Sequence, residues 1–115
     1  MDKKVEISIL LQIYGNLLTK KQQDVMNLYY NEDLSLSEIA EIYKISRQGV
    51  NDLIKKGETN LLNYEKILHI MKTTETNNKT IDSIIFELSK IDESTSKNEI
   101  QKILTNVQKK LHNIQ

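Results

Sequence analysis

The sequence predicts an all-α protein organised around a helix-turn-helix, and three observations carry that expectation. Its 115 residues include no Pro and three Gly, so little interrupts helix, and the abundant Lys, Glu, Leu and Ile favour it. Apolar residues recur at spacings of three and four through most of the chain. From Leu34 to Ile54, LSLSEIAEIYKISRQGVNDLI, this spacing is broken once: Leu36, Ile39, Ala40 and Tyr43 are followed by Ile45, then by Val50, Leu53 and Ile54. Two helices joined by a tight turn satisfy that pattern, with no wing beside them.

The first helix is expected from about Val5 to Leu18, with Ile9, Leu10, Ile13 and Leu17 on one face. Thr19 and Gln22 have the spacing of a capping box and open a second helix, whose apolar face holds Val25, Met26, Leu28 and Tyr29. Tyr29 and Tyr30 are adjacent, so only one faces the core; packing outweighs base stacking because no basic residue is interleaved with them. The chain turns at Asn31-Glu32-Asp33, and Ser35 with Glu38 repeats the capping box at the start of the helix-turn-helix. Ala40 permits a close helix crossing, Ile45 plugs the turn, and Ser46 caps the second, recognition helix.

The recognition helix reads as long. Val50, Ile54, Gly57, Leu61, Tyr64, Leu68 and Met71 alternate spacings of four and three, a seam that predicts helix to about Lys72. The seam packs either on the first helix of its own chain or on a second copy. A motif ending near Ile54 offers no evident cover for Leu61, Leu68 and Met71, which points to a homodimer held by the stretch from Val50 to Met71. The polar run TTETNNKT at 73–80 reads as a loop with Thr80 as a cap. Ile81, Ile84, Ile85, Leu88 and Ile91 then mark one amphipathic helix. Ser96 and Glu99 open the last, marked by Ile100, Ile103, Leu104, Val107, Leu111 and Ile114. The expected organisation is thus a helix-turn-helix domain over 1–72 and a C-terminal helical hairpin over 73–115, packed on that domain or on a partner subunit.

Charge and composition narrow the function. Formal net charge is zero, whereas a dedicated nucleic-acid binder usually carries a clear positive excess. Residues 1–43 hold four Lys against seven carboxylates, a net of −3, and residues 44–58 hold four cations against two carboxylates, a net of +2. The second stretch is a small basic spot. There is no Cys, the two His stand alone at His69 and His112, and no glycine-rich loop is present to cradle a phosphate. A non-enzymatic protein without metal or cofactor is expected. No run approaches the roughly 18 apolar residues of a membrane span, and no signal-peptide pattern opens the chain, so a cytoplasmic protein is expected.

The candidate binding residues are those the second helix of the motif exposes: Arg47, Gln48, Asn51 and Lys55, with Lys44 in the turn and Lys56 beside them. Arg47 and Lys55 suit a phosphate or a guanine edge, and Gln48 and Asn51 suit adenine. Asp52 on the same helix opposes phosphate.

Between Leu18 and Tyr64 the segments LTKKQQDVMNLYY, NEDLSLSEIAE, ISRQGVNDLIKKGE and LLNYEKIL resemble the YlxM family of small bacterial proteins, whose fold is similar to region 4 of bacterial sigma factors. Lys44 departs from the family pattern, standing where Gly commonly supplies a positive φ. The resemblance implies a regulatory protein of the signal recognition particle pathway, with that particle's RNA or protein, or duplex DNA, as partner. The alternative reading is a dimeric, sequence-specific transcription regulator. A third is an interaction module that turns the same motif towards protein, as the acidic front half permits.

Overall fold

A computed structural model describes residues 2–115. Among these, six α-helices and one short 3-10 turn account for the regular structure, without strands: α1 (Lys3–Tyr14), the 3-10 turn Gly15–Leu17, α2 (Lys20–Tyr30), α3 (Leu36–Tyr43), α4 (Arg47–Leu68), α5 (Ile70–Leu88) and α6 (Lys97–His112). Two compact units divide the chain after Met71.

Side-chain caps start the helices of the first unit. The Asp2 carboxylate accepts from the Lys4 N–H, Thr19 and Gln22 complete the expected capping box of α2, and Ser35 and Glu38 complete that of α3. Each closes otherwise orphaned N–H groups and contributes about 1 kcal/mol. The first helix starts earlier and ends earlier than its periodicity suggests. Its last turn tightens into the 3-10 turn, leaving Leu17 exposed while Leu18 enters the core.

The core of this unit runs between α1, α2 and α4. Ile7, Leu10, Leu11 and Tyr14 of α1 meet Val25, Met26 and Tyr30 of α2, Ile39 of α3, and Val50, Ile54 and Leu61 of α4. The apolar seam of the long helix is therefore covered within one chain as far as Leu61, whereas Leu68 at its end is 49% exposed. Leu61 is 0% exposed, so the largest part of the seam that was expected to need a second chain is covered by this one. The short motif is backed by α1 and α2, and these supply the cover that the motif itself lacks. Gly57 lies on the same stripe, and a Cβ there would stand 2.2 Å from the Met26 sulfur. The Met26 side chain of α2 thus occupies the space that a side chain on Gly57 would need.

Polar contacts at the periphery fix this arrangement. Tyr30 is buried and Tyr29 half-buried, their rings edge to face with centroids 5.0 Å apart. The Tyr30 hydroxyl donates to Glu58 of α4. Burial first, and then this bond, push its pKa well up, so it remains a donor.

The long helix ends at Leu68, short of the expected Lys72. His69 takes the left-handed conformation, with φ 54°, and the chain re-enters helix at Ile70. Nothing at His69 itself demands a break, since neither Gly nor Pro is present. Long-range hydrogen bonds hold the corner. The Tyr14 hydroxyl donates to Glu65 Oε1 at 2.7 Å and accepts the Ile70 N–H at 3.2 Å, while the same carboxylate oxygen accepts the Met71 N–H at 3.0 Å. Orphan donors at the start of α5 are thereby satisfied by side chains of α1 and α4.

In the second unit the expected loop at 73–80 is helix. Thr80, read as a cap, lies inside α5, where its hydroxyl donates to the Thr76 carbonyl at 3.1 Å. Thr73, Asn77, Thr80, Ile84 and Glu87 form a half-buried or buried line at alternating spacings of four and three. The stripe of this helix is thus partly polar, and a search for apolar periodicity passes over it. Ser96 caps α6 by accepting the Glu99 N–H. α5 and α6 run antiparallel, as the pairings Asn77–Gln115, Ser83–Lys110 and Glu87–Asn106 show. Lys110 Nζ also lies 3.0 Å from Glu87 Oε1.

Two substitutions test the core. Leu61→Ala is expected to cost about 2–5 kcal/mol by cavity formation. Gly57→Ala should destabilise by about 1–3 kcal/mol despite its roughly 1 kcal/mol gain in helix propensity. Met26→Ala should relieve that second cost, so chemical denaturation of the double-mutant cycle should show favourable coupling; strict additivity would mean that the crossing is not limited by this contact.

Candidate functional site

The helix-turn-helix comprises α3, the turn Lys44-Ile45-Ser46 and the first half of α4. Lys44 adopts φ 54° and ψ 43°, and its N–H reaches back to the Ala40 and Glu41 carbonyls. The Ile45 N–H returns to the Ala40 carbonyl at 3.1 Å. A lysine thus fills a left-handed turn that glycine would enter without Cβ strain. Ile45 is half-buried and packs against the core, as its role of plug requires. Ser46 then caps α4, its hydroxyl accepting the Gly49 N–H at 2.9 Å.

This cap and turn set the exposed side of α4. Arg47, Asn51 and Lys55 follow one another at intervals of four along one line of the helix, with Gln48 and Asp52 on the neighbouring line. Arg47, Gln48, Lys55, Lys56 and Lys44 are exposed, whereas Asn51 is half-buried. Gln48 Nε2 donates to Asp52 Oδ1 at 2.8 Å, a tie within the face that the spacing of four implied and that residue-by-residue reading overlooked. It aims the Gln48 amide and leaves Asp52 as the acid of the face.

Glu58, which diminished the basic spot when charges were summed along the sequence, belongs elsewhere. Its carboxylate accepts from Tyr30 and pairs with Lys3 of α1 at 3.4 Å, with 17% of its side chain exposed. The spot formed by Lys44, Arg47, Lys55 and Lys56 therefore contends with Asp52 alone among the carboxylates of residues 44–58. Acids lie on the preceding helix, where Glu38 and Glu41 are exposed. The Glu38 carboxylate is held below its ordinary pKa of 4.5 by the N–H of Ser35.

Among the described residues, no group of three or more His, Cys, Asp or Glu side chains is placed to hold a metal ion, and no helix is long and apolar enough to cross a membrane. His69 and His112 are both exposed.

Six helices and no strand among the described residues, with a turn and capped α4 that present a mixed basic and amide face, define an all-α helix-turn-helix protein. The chain belongs to the UPF0122 family, described as "Putative helix-turn-helix protein, YlxM / p13 like", whose model matches residues 1–107. A UPF0122 protein of Clostridium perfringens strain 13 is 46% identical over 100 residues, which span 84% of this chain and 89% of that one. Another, from Clostridium kluyveri strain NBRC 12016, is 50% identical over 91 residues, 76% of this chain and 82% of its own. A third, from Clostridium novyi strain NT, is 38% identical over 107 residues and spans 93% of both chains.

Two measurements probe the site. Arg47→Ala with Gln48→Ala should leave stability within about 0.5 kcal/mol, since both side chains are exposed and the cap belongs to Ser46; a much lower melting temperature would make them structural. The capping box of α3 carries a pH dependence. Because the Glu38 carboxyl has a depressed pKa, its contribution is present above 4.5 and is lost as pH falls through the lower folded value. Glu38→Gln keeps an acceptor, as Gln22 does in α2, and should flatten that part of the acid-unfolding profile; an unchanged profile would exclude the box as its source.

Proposed function

We propose that this protein is a cytoplasmic, non-enzymatic regulator of the signal recognition particle pathway that engages an RNA or protein partner through the exposed face of α4. The pathway rests on the family resemblance. The mode of binding rests on one observation: Glu58 is turned away to Tyr30 and Lys3, leaving Lys44 in the turn and Arg47, Lys55 and Lys56 along the first half of a capped helix. Such a face suits an anionic partner with only a few contacts. The exposed acids of α3 limit how closely an extended phosphate backbone can follow the motif.

A second reading, a transcription regulator on duplex DNA, is favoured by the amides. Gln48 and Asn51 beside Arg47 are the residue types that read adenine and guanine edges in the major groove. The half-buried position of Asn51 and the tie between Gln48 and Asp52 weigh against it.

Binding of the purified protein to signal recognition particle RNA, to the particle's protein subunit and to duplex DNA, each at several salt concentrations, separates the readings. With two to four phosphate contacts the logarithmic salt slope on nucleic acid should be roughly −2 to −4. A slope near −8 would require a larger basic surface than α4 supplies. Nanomolar, sequence-selective binding to duplex DNA at physiological salt, with none to the particle's RNA or protein, would replace the first reading by the second.

A further inference from the structure

The second unit, Lys72–Gln115, is a two-helix hairpin with an unusually thin core. Ile84 and Val107 are its buried apolar residues. Units of this size ordinarily need a disulfide, a metal or association with another chain to hold a fold. The chain has no Cys, and no metal-binding group occurs among the described residues.

Apart from Phe86, which lies off the stripe beneath Lys90, its apolar surplus is ordered. On α5, Ile81, Ile85 and Leu88 follow the helical spacing of four and three, and on α6 Leu104 and Leu111 are seven apart; all five are 41–59% exposed. Both sets lie to one side of the line along which the helices pack. Going round α5 from the buried Ile84, the exposed stripe begins one residue on, at Ile85. Round α6 from the half-buried Ile103, it begins at Leu104. Because the helices are antiparallel, these equal rotations in sequence bring both stripes to the same face of the hairpin. Two such hairpins, joined by these faces, would make a four-helix bundle.

We infer that this face is covered by the same face of a second copy of the chain, joining the two hairpins as a two-fold symmetric four-helix bundle. The five side chains offer about 400 Å² per copy, and two such faces with their polar rims reach about the 1,000 Å² at which specific interfaces begin. Charge permits the pairing: residues 72–115 hold seven Lys against six carboxylates, so like copies do not repel strongly. The rims also complement one another. Glu75 and Asp82, seven apart, flank the stripe of α5, whereas Lys97 continues the line of Leu104 and Leu111 on α6. A two-fold axis near Ile85 lays the loop end of one hairpin, with Lys97, over the open end of its partner, with Glu75.

Sedimentation equilibrium of the full chain at tens of micromolar should give a dimer, and Ile85→Glu with Leu104→Glu should give a monomer of unchanged helicity. A monomeric parent overturns the proposal, as does a dimer that survives both substitutions. Single-cysteine variants remain decisive if the glutamates unfold the hairpin. In this cysteine-free chain, Ile85→Cys should cross-link into a disulfide dimer under mild oxidation, at least tenfold faster than Lys44→Cys on the turn. Equal rates at the two positions would overturn the interface.

Discussion

α4 serves as both core strut and exposed face, and this is possible because one line along it is given entirely to burial. Val50, Ile54, Gly57 and Leu61 face the core shared with α1, α2 and α3, and the absence of a side chain on Gly57 lets the Met26 sulfur fill the crossing. Close packing of this kind fixes the rotation of a helix about its own axis, since turning it by one residue would drive a Cβ into the neighbour. The direction in which Arg47, Gln48 and Lys55 point is therefore decided on the opposite side of the helix, by the buried line from Val50 to Leu61. Ser46 and the Lys44 turn then determine where the helix starts.

The parts of this fold that were legible in the sequence are those determined by local chemistry. Thr19 with Gln22 and Ser35 with Glu38 close their capping boxes within four residues, so the signal and the structure occupy the same short segment. The turn at Lys44 was legible for the same reason, as was the exposure of Arg47, Gln48, Lys55 and Lys56 on the side opposite the apolar stripe. The corner at His69 was hidden because Tyr14, more than 50 residues earlier, helps to hold it. The helical start of α5 was hidden because Thr73, Asn77 and Thr80 occupy its inward line, and polar residues there resemble a loop to any rule based on hydrophobic contrast. The seam raised a different difficulty. Its spacing was read correctly, but periodicity says that a stripe is covered and not by what, so α1 and α2 could not be told from a second chain. Asn51 was misjudged on similar grounds, being half-buried at the edge of the face rather than fully displayed.

Electrostatics followed neither total charge nor a sliding sum along the chain. The pairing of Glu58 with Lys3 and Tyr30 withdraws one acid from the region of α4 and one cation from the acidic front half. The sum over residues 44–58 therefore understates how basic the α4 face is, and the sum over residues 1–43 understates how acidic the front half is. In a helical protein the neighbours of a side chain lie three or four residues away or on another helix, so a local sum of charges mixes opposite faces.

Lys44 sets two demands against each other at a single position. Its backbone occupies a left-handed conformation, with φ 54°, that glycine adopts without cost, while its ammonium belongs to the small positive cluster beside Arg47. A glycine at this position would relax the turn and remove one of four cations in the same step. Under the proposed function, a relaxed turn and attraction to an anion thus pull in opposite directions, a stability–function trade-off confined to one residue.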